Sequence, residues 1–393
     1  MGKVKIFKKR NFHQEQREHN FKLSTSSNNS VKLLLDGAET FAAITEALSN
    51  AQHRINLEYF IFSDDEIGRK IKNILSERAR SGVKVRVIFD ALGSWRLGRN
   101  FISDLRNAGV NVHVFLPPTL FNLRLSLTHR DHRKIITVDG HTGLLGGLNI
   151  GDVYLKRWRD THLQIKGEAV AELDRIFFRM WDRLNLKKNK ITPEELNSKI
   201  IDISNISFSN SVPVKIAASG PNEEFRIIAD EYIKIISNAK NRLWITTPYL
   251  VPDEKLLNAL YLAASKNVDV RIIIPFKANH TLVSWASQYN IDRLLEHGIR
   301  IFVYQDRFIH AKTLISDRNI ASVGTTNLDM RSLEMNYEVQ AFVYSAKLVA
   351  ELENAFLNDL SHCSEEKLND RLRNRSLLQK LQAKIGKFWS AVL

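Results

Sequence analysis

Two short segments of the chain place the same residue types at the same offsets. Counting from His132 and from His310, Lys stands at +2 (Lys134, Lys312) and Asp at +7 (Asp139, Asp317). Gly follows at +14 (Gly146, Gly324), Asn at +17 (Asn149, Asn327) and a carboxylate at +28 (Asp160, Glu338). The copies lie 178 residues apart in identical register, which points to a duplicated catalytic half and one site shared between the copies. Pooled, they supply two imidazoles, two ammonium groups and two amides. Phosphate is the natural guest, because ammonium and amide groups stabilise the charge on its non-bridging oxygens in a five-coordinate transition state. A neutral imidazole can attack phosphorus, and a protonated one can give its proton to the leaving oxygen and then act as a base. A +28 carboxylate can hold each ring through its other nitrogen, fixing tautomer and orientation. Nothing in this chemistry requires a metal or other cofactor. No H-E-x-x-H and no cysteine cluster is present.

The elements that position these residues follow from periodicity. The β-rich stretch 134–138 reads as a strand, on which His132 and Lys134 project from one face. Upstream, 55–62, 83–89 and 110–115 read as strands, with helices at 66–80 and 101–108 between them. The rhythm returns in the second half: helices at 225–237, 254–265 and 282–296 alternate with strands at 242–247, 268–274 and 299–304. The expected class is α/β with a largely parallel sheet and helices on its faces. The expected division is a basic arm (1–30), a first repeat (31–188), a polar linker (189–212), a second repeat (213–362) and a C-terminal segment (363–393). In that last segment Leu377, Leu381, Ile385, Phe388, Trp389 and Val392 recur at helical spacing among lysines, which predicts an amphipathic helix suited to a membrane interface.

Composition narrows the partners. The net charge of +14 over 393 residues attracts nucleic acid, anionic lipid or phosphorylated substrates. No apolar run is long enough to span a bilayer, and the basic N-terminus lacks the apolar core of a signal peptide. The single cysteine, Cys363, suits a reducing compartment. The terminal helix and the mixed apolar and basic stretch 116–127 favour lipid over nucleic acid, and no run of interleaved aromatic and basic residues marks a nucleic-acid groove. These features place the chain peripherally on the cytoplasmic face of the cell membrane. Its oligomeric state is left open.

Both segments resemble the H-x-K-x4-D-x6-G-[GS]-x-N signature of the phospholipase D superfamily, with Thr325 standing where Gly or Ser is usual. Within it the chain is similar to bacterial cardiolipin synthases. The strings that carry this likeness are L-E-Y-F-I-F-S-D-D-E-I-G at Leu57, G-G-L-N-I-G-D at Gly146, W-R-D-T-H at Trp158, P-Y-L-V-P-D at Pro248 and N-L-D-M-R-S at Asn327. The resemblance implies two similar α-β-α sandwich halves related by a pseudo-twofold axis, with one shared active site and a phosphohistidine intermediate. It implies that His132 is the nucleophile and His310 the acid and then the base, although the spacing itself treats them alike. Asp139 and Asp317 would support the motif rather than touch phosphate. The implied reaction joins two phosphatidylglycerols into cardiolipin and glycerol. Phospholipid hydrolysis is the main alternative, phosphodiesterase or nuclease action a lesser one, and an inactive membrane-binding scaffold is disfavoured by the intact His and Lys of both copies.

Overall fold

The duplication extends to two sheets with the same strand order. In the computed structural model, which describes residues 24–117, 129–185, 208–221, 226–276 and 281–374, the first sheet has seven strands. Their order is Asn29–Leu34, His162–Gly167, Thr142–Gly146, Lys134–Val138, Arg54–Tyr59, Lys84–Asp90 and Asn111–Phe115. The second sheet repeats it as Val214–Ser219, Glu338–Val343, Ile320–Gly324, Thr313–Ser316, Arg242–Thr246, Asp269–Pro275 and Arg300–Tyr304.

The second sheet gains a strand at each edge, Thr25–Ser26 beside Val214–Ser219 and Cys363–Glu365 beside Arg300–Tyr304. Both lie outside the repeat bounds expected from sequence. The first described strand begins at Thr25, ahead of Val31, and pairs with the other half. An open sheet edge presents unpaired backbone groups, and these two short strands cover them.

The expectation of a largely parallel sheet is corrected. Each sheet is parallel only where helices cross over, at Arg54–Tyr59, Lys84–Asp90 and Asn111–Phe115 and at their counterparts. The motif strands are antiparallel. A parallel neighbour needs a crossover of about a dozen residues, and the chain instead turns back within a few residues at Asp139–Gly140 and at Asp317. Both aspartates sit in the left-handed region, at φ 52° and 51°, which Asp tolerates better than most residues. Asp139 accepts backbone N–H groups from Gln52, His53 and Arg54 at 2.7–2.8 Å. Asp317 accepts those of Lys240, Asn241 and Arg242 at 2.8–3.3 Å. Each +7 aspartate thus locks the hairpin behind its histidine to the start of the adjacent parallel strand.

The helices form layers. Gly37–Ser49, Glu66–Arg80 and Arg99–Asn107 cover the outer face of the first sheet, and Ile227–Asn238, Glu254–Ser265 and Thr281–Glu296 that of the second. Asp65 caps Glu66–Arg80 by accepting the Gly68 N–H, and Ile71 and Leu75 bury its inner stripe. Ala169–Leu184 and Ala346–Leu360 lie on the inner faces. There one continuous core joins Leu163, Leu173 and Ile176 of the first half to Val339, Leu352 and Phe356 of the second. The halves therefore share a buried core, and apolar burial fixes their relative placement.

Four sequence expectations, the arm before Thr25, most of the 116–127 stretch, most of the 189–212 linker and the membrane-interface helix beyond Asn374, fall outside the described residues.

Candidate active site

The two motifs meet through backbone pairing between halves. The His132 N–H donates to the Tyr337 carbonyl at 3.0 Å, and the His310 N–H donates to the Arg159 carbonyl at 2.7 Å. Tyr337 precedes Glu338 and Arg159 precedes Asp160, so each +28 carboxylate is delivered to the histidine of the opposite repeat. Glu338 places both Oε1 and Oε2 3.0 Å from His132 Nδ1, and Asp160 Oδ2 lies 2.7 Å from His310 Nδ1. The spacing had provided one carboxylate per ring, and the structure pairs them crosswise.

Lys134 and Lys312 are buried beneath the rings. Lys134 Nζ donates to the His132 carbonyl at 2.7 Å, and Lys312 Nζ donates to the His310 carbonyl. Lys312 Nζ also comes within 2.8 Å of His310 Nδ1. With Nδ1–H given to Asp160 this is a close ammonium–ring approach and not a second hydrogen bond. Aromatic edges fix the ring planes: Phe60 lies 5.0 Å from His132 and Trp158 4.5 Å from His310, centroid to centroid. Asn149 Oδ1 accepts the Ile61 N–H at 3.1 Å, and Asn327 Nδ2 donates to Ser332 Oγ at 3.1 Å. The two histidines and two lysines therefore lie within one another's electrostatic reach, and Asp139 and Asp317 stand behind them in the turns.

The symmetry is imperfect at +15. A Cβ on Gly147 would fall well inside contact distance of both Asp160 carboxylate oxygens. Its counterpart Thr325 has a side chain, and its hydroxyl donates to Glu338 Oε2 and accepts the Val339 N–H at 3.0 Å. The longer Glu338 enters with room for a threonine, whereas the shorter Asp160 needs the glycine. The departure from the signature at Thr325 is thus a compensated exchange.

Three contributors were not selected from the sequence. Arg331 opens a five-residue π-helical turn, Arg331–Met335, between Asn327 and Tyr337. Its charge bears on His132. Phe60 and Trp158 pack on the rings. The strings quoted for the family likeness contain all three, but nothing in their spacing marked them. His162, expected to have no role, is buried against Gly146, and burial pushes it down to about 4.

Electrostatics set the protonation of the site. Burial, then Lys134, Lys312 and Arg331, hold His132 well below the usual imidazole range. Burial, then Lys312, Lys134 and His132, do the same to His310. Burial lowers Lys134 to about 8 and Lys312 to about 7, against the pull of Glu338 and Asp160. Burial raises Glu338 to about 8 and raises Asp160. The site thus holds neutral rings and cations that part easily with their protons. An anion within about 4–6 Å would reverse these shifts and favour every protonated form.

The chain is similar to known proteins in both halves. The family model described as "Cardiolipin synthase, PLD-like domain" matches residues 44–181 and 232–360, one segment in each half. A cardiolipin synthase of Halalkalibacterium halodurans is 42% identical over 364 residues, spanning 90% of this chain and 70% of that protein. One from a Geobacillus strain is 42% identical over 340 residues, spanning 85% of this chain and 66% of its own length. The chain thus spans about two thirds of the length of these relatives. Among solved structures, a phosphatidylserine synthase of Haemophilus influenzae superposes with a TM-score of 0.71 at 18% identity, covering 95% of this chain and 98% of that one, a likeness of fold. Among the described residues, no helix is long and apolar enough to cross a membrane.

Proposed function

The chain belongs to the cardiolipin synthase family of phospholipase D-like domains, and from that premise we propose that it is a phosphatidyltransferase joining two phosphatidylglycerols into cardiolipin and glycerol. The observation that carries the mechanism is the crosswise clamp. With both Nδ1 atoms committed to carboxylates, each ring works through Nε2.

In the first step His132 Nε2 attacks phosphorus of one phosphatidylglycerol. The bond from phosphorus to the headgroup glycerol oxygen breaks, and His310 Nε2–H gives its proton to that oxygen, releasing glycerol. In the second step a headgroup hydroxyl of another phosphatidylglycerol yields its proton to His310 and attacks phosphorus. The P–N bond breaks, His132 is restored and cardiolipin departs. Burial favours neutral His132 as nucleophile. His310 needs a proton in the first step, and the bound phosphate supplies the negative charge that raises its affinity for one. Lys134, Lys312, Asn149 and Asn327 face the developing charge. His132 is the more accessible ring, at 12% side-chain exposure against 5% for His310. This agrees with the first histidine bearing the covalent intermediate. The chain acts peripherally at the cytoplasmic face of the membrane, held there by its C-terminal segment and basic arm.

The test is to incubate purified protein with phosphatidylglycerol vesicles and analyse the lipids by mass spectrometry. Cardiolipin with glycerol is the expected outcome. Phosphatidic acid would replace transfer by hydrolysis, and unchanged lipid would overturn both.

A further inference from the structure

Seven large apolar side chains are exposed among the described residues, and four of them lie in segments tied to the site or at the matching strand end of the second half. Trp95 is 68% exposed, Phe276 61%, Leu92 41% and Val153 39%. The other three, Leu262, Leu357 and Leu372, lie on helices elsewhere. Isolated exposed leucines are ordinary on a soluble protein, whereas a cluster of large apolar groups marks an interaction surface.

The cluster is built onto the site. Trp95 and Leu92 belong to the turn after strand Lys84–Asp90. Asp90 Oδ1 accepts the N–H groups of Leu92 and Gly93 at 2.9 and 2.8 Å, while Asp90 Oδ2 accepts that of Asp131, the residue before His132, at 3.0 Å. Ser94 Oγ donates to the Phe60 carbonyl and accepts the Phe62 N–H, both at 3.0 Å. Phe60 is the ring set edge-on to His132. Val153 follows Asp152, whose N–H donates to Asp65 at 2.8 Å and whose carboxylate accepts the Ile67 N–H at 2.9 Å. Trp95 and Val153 therefore flank the segment 60–65 that carries Phe60. Phe276 follows strand Asp269–Pro275, the counterpart of Lys84–Asp90, so both halves present apolar groups beyond the same strand end. In open α/β sheets that end is where ligands bind.

We propose that Trp95, Leu92, Val153 and Phe276 form the rim that seats the active-site mouth on an anionic lipid bilayer. The proposal rests on the phosphatidyltransferase reading, because a lipid donor and a lipid acceptor must both leave a bilayer to reach the histidines. Charge selects the occupant. Arg96 and Arg99 are exposed beside Trp95, with the Arg96 guanidinium 5.0 Å from the indole. Trp with flanking arginines is the composition of an interfacial anchor. The overall charge of +14 repels a second copy and attracts anionic headgroups.

The experiment compares the full-length parent, the double variant L92A/W95A and the control L262A. Each is measured for partition onto phosphatidylglycerol vesicles and onto pure phosphatidylcholine vesicles, and for turnover of short-chain phosphatidylglycerol below its micellar concentration. The double variant is expected to lose vesicle partition on the order of tenfold, since two rim side chains no longer enter the interface. Turnover of the monomeric lipid should stay unchanged, and L262A should behave as the parent. Brominated phosphatidylglycerol should quench the parent's fluorescence more than that of W95F. Unchanged partition of L92A/W95A, or quenching equal in parent and W95F, overturns the proposal. So does a change in the parent's oligomeric state on mutation, which would make the rim a protein interface. If the parent turns over no lipid, the proposed function fails, while the partition result still judges the rim.

Discussion

Glu338 holds His132 with both carboxylate oxygens at 3.0 Å across 206 residues of chain, and Asp160 returns the contact to His310 across 150. Each histidine takes its carboxylate partner from the opposite repeat. E338Q and D160N keep the shape of the clamp but can turn an amide NH2 toward Nδ1, so each ring loses the acceptor that fixes its tautomer. Turnover of phosphatidylglycerol should fall about 10²–10⁴-fold in each, with circular dichroism unchanged. Activity within a few-fold of the parent would show that the clamp is ornamental.

The exchange of Gly147 against Thr325 makes a paired prediction. G147A drives a methyl group into Asp160, and overpacking of this kind costs about 1–3 kcal/mol. T325V removes a hydroxyl from Glu338 without adding volume, and T325S should restore it. A Tm drop in G147A and a turnover loss in T325V that T325S rescues are the expected results. A G147A variant as stable and active as the parent would contradict the packing.

Covalent trapping separates the two rings. H132A and H310A should each abolish turnover, but only H310A should accumulate a phosphatidyl adduct on the protein, seen by intact-mass spectrometry. An adduct in H132A would exchange the assigned roles.

The buried lysines make anion binding take up protons. Burial holds Lys134 near 8 and Lys312 near 7, and a bound anion raises both. Sulfate, which does not titrate in this range, should bind with a calorimetric enthalpy that depends on the buffer's ionisation heat at pH 8. Because folding lowers these values from 10.5, the unfolded chain binds more protons above about pH 7. The lysines therefore oppose folding at neutral pH, and less so as pH rises toward 10.5. K134M should be inactive yet at least as stable at pH 7 in denaturant titration.

Asp317 acts on the acid side. Burial works against its ionisation, but the N–H groups of Asn241, Arg242 and Lys240 outweigh it and hold the carboxyl below the usual range. Its contribution is present above the unfolded value near 3.8 and is lost as pH falls through the lower folded value. D317N, which still accepts the left-handed turn, should lower Tm at pH 7 and flatten its decline below pH 4. An acid limb identical to the parent's would remove Asp317 from this role.

How much was legible follows the range of each interaction. The helices Glu66–Arg80 and Glu254–Ser265 appear at their sequence-predicted bounds, because an apolar stripe and an Asp cap are local signals. Ala169–Leu184 was missed. Its apolar stripe of Val170, Leu173, Phe177 and Trp181 is present in the sequence and lies buried between the two sheets. The parallel sheet was over-extended because alternation does not report whether a strand returns by a crossover or by a tight turn.

From the sequence alone came the parts: two histidines, two lysines, two amides and two carboxylates in matched register, with phosphoryl transfer as their common use. Spacing along a chain carries that much, since duplicated offsets survive in the linear order. Only the tertiary structure decided that Glu338 serves His132 and Asp160 serves His310, that Thr325 is tolerated because Glu338 is the longer acid, and that the turn carrying exposed Trp95 is tied through Asp90 to the residue before His132. Those relations depend on which backbones pair across the shared core, and apolar burial between the halves sets that pairing.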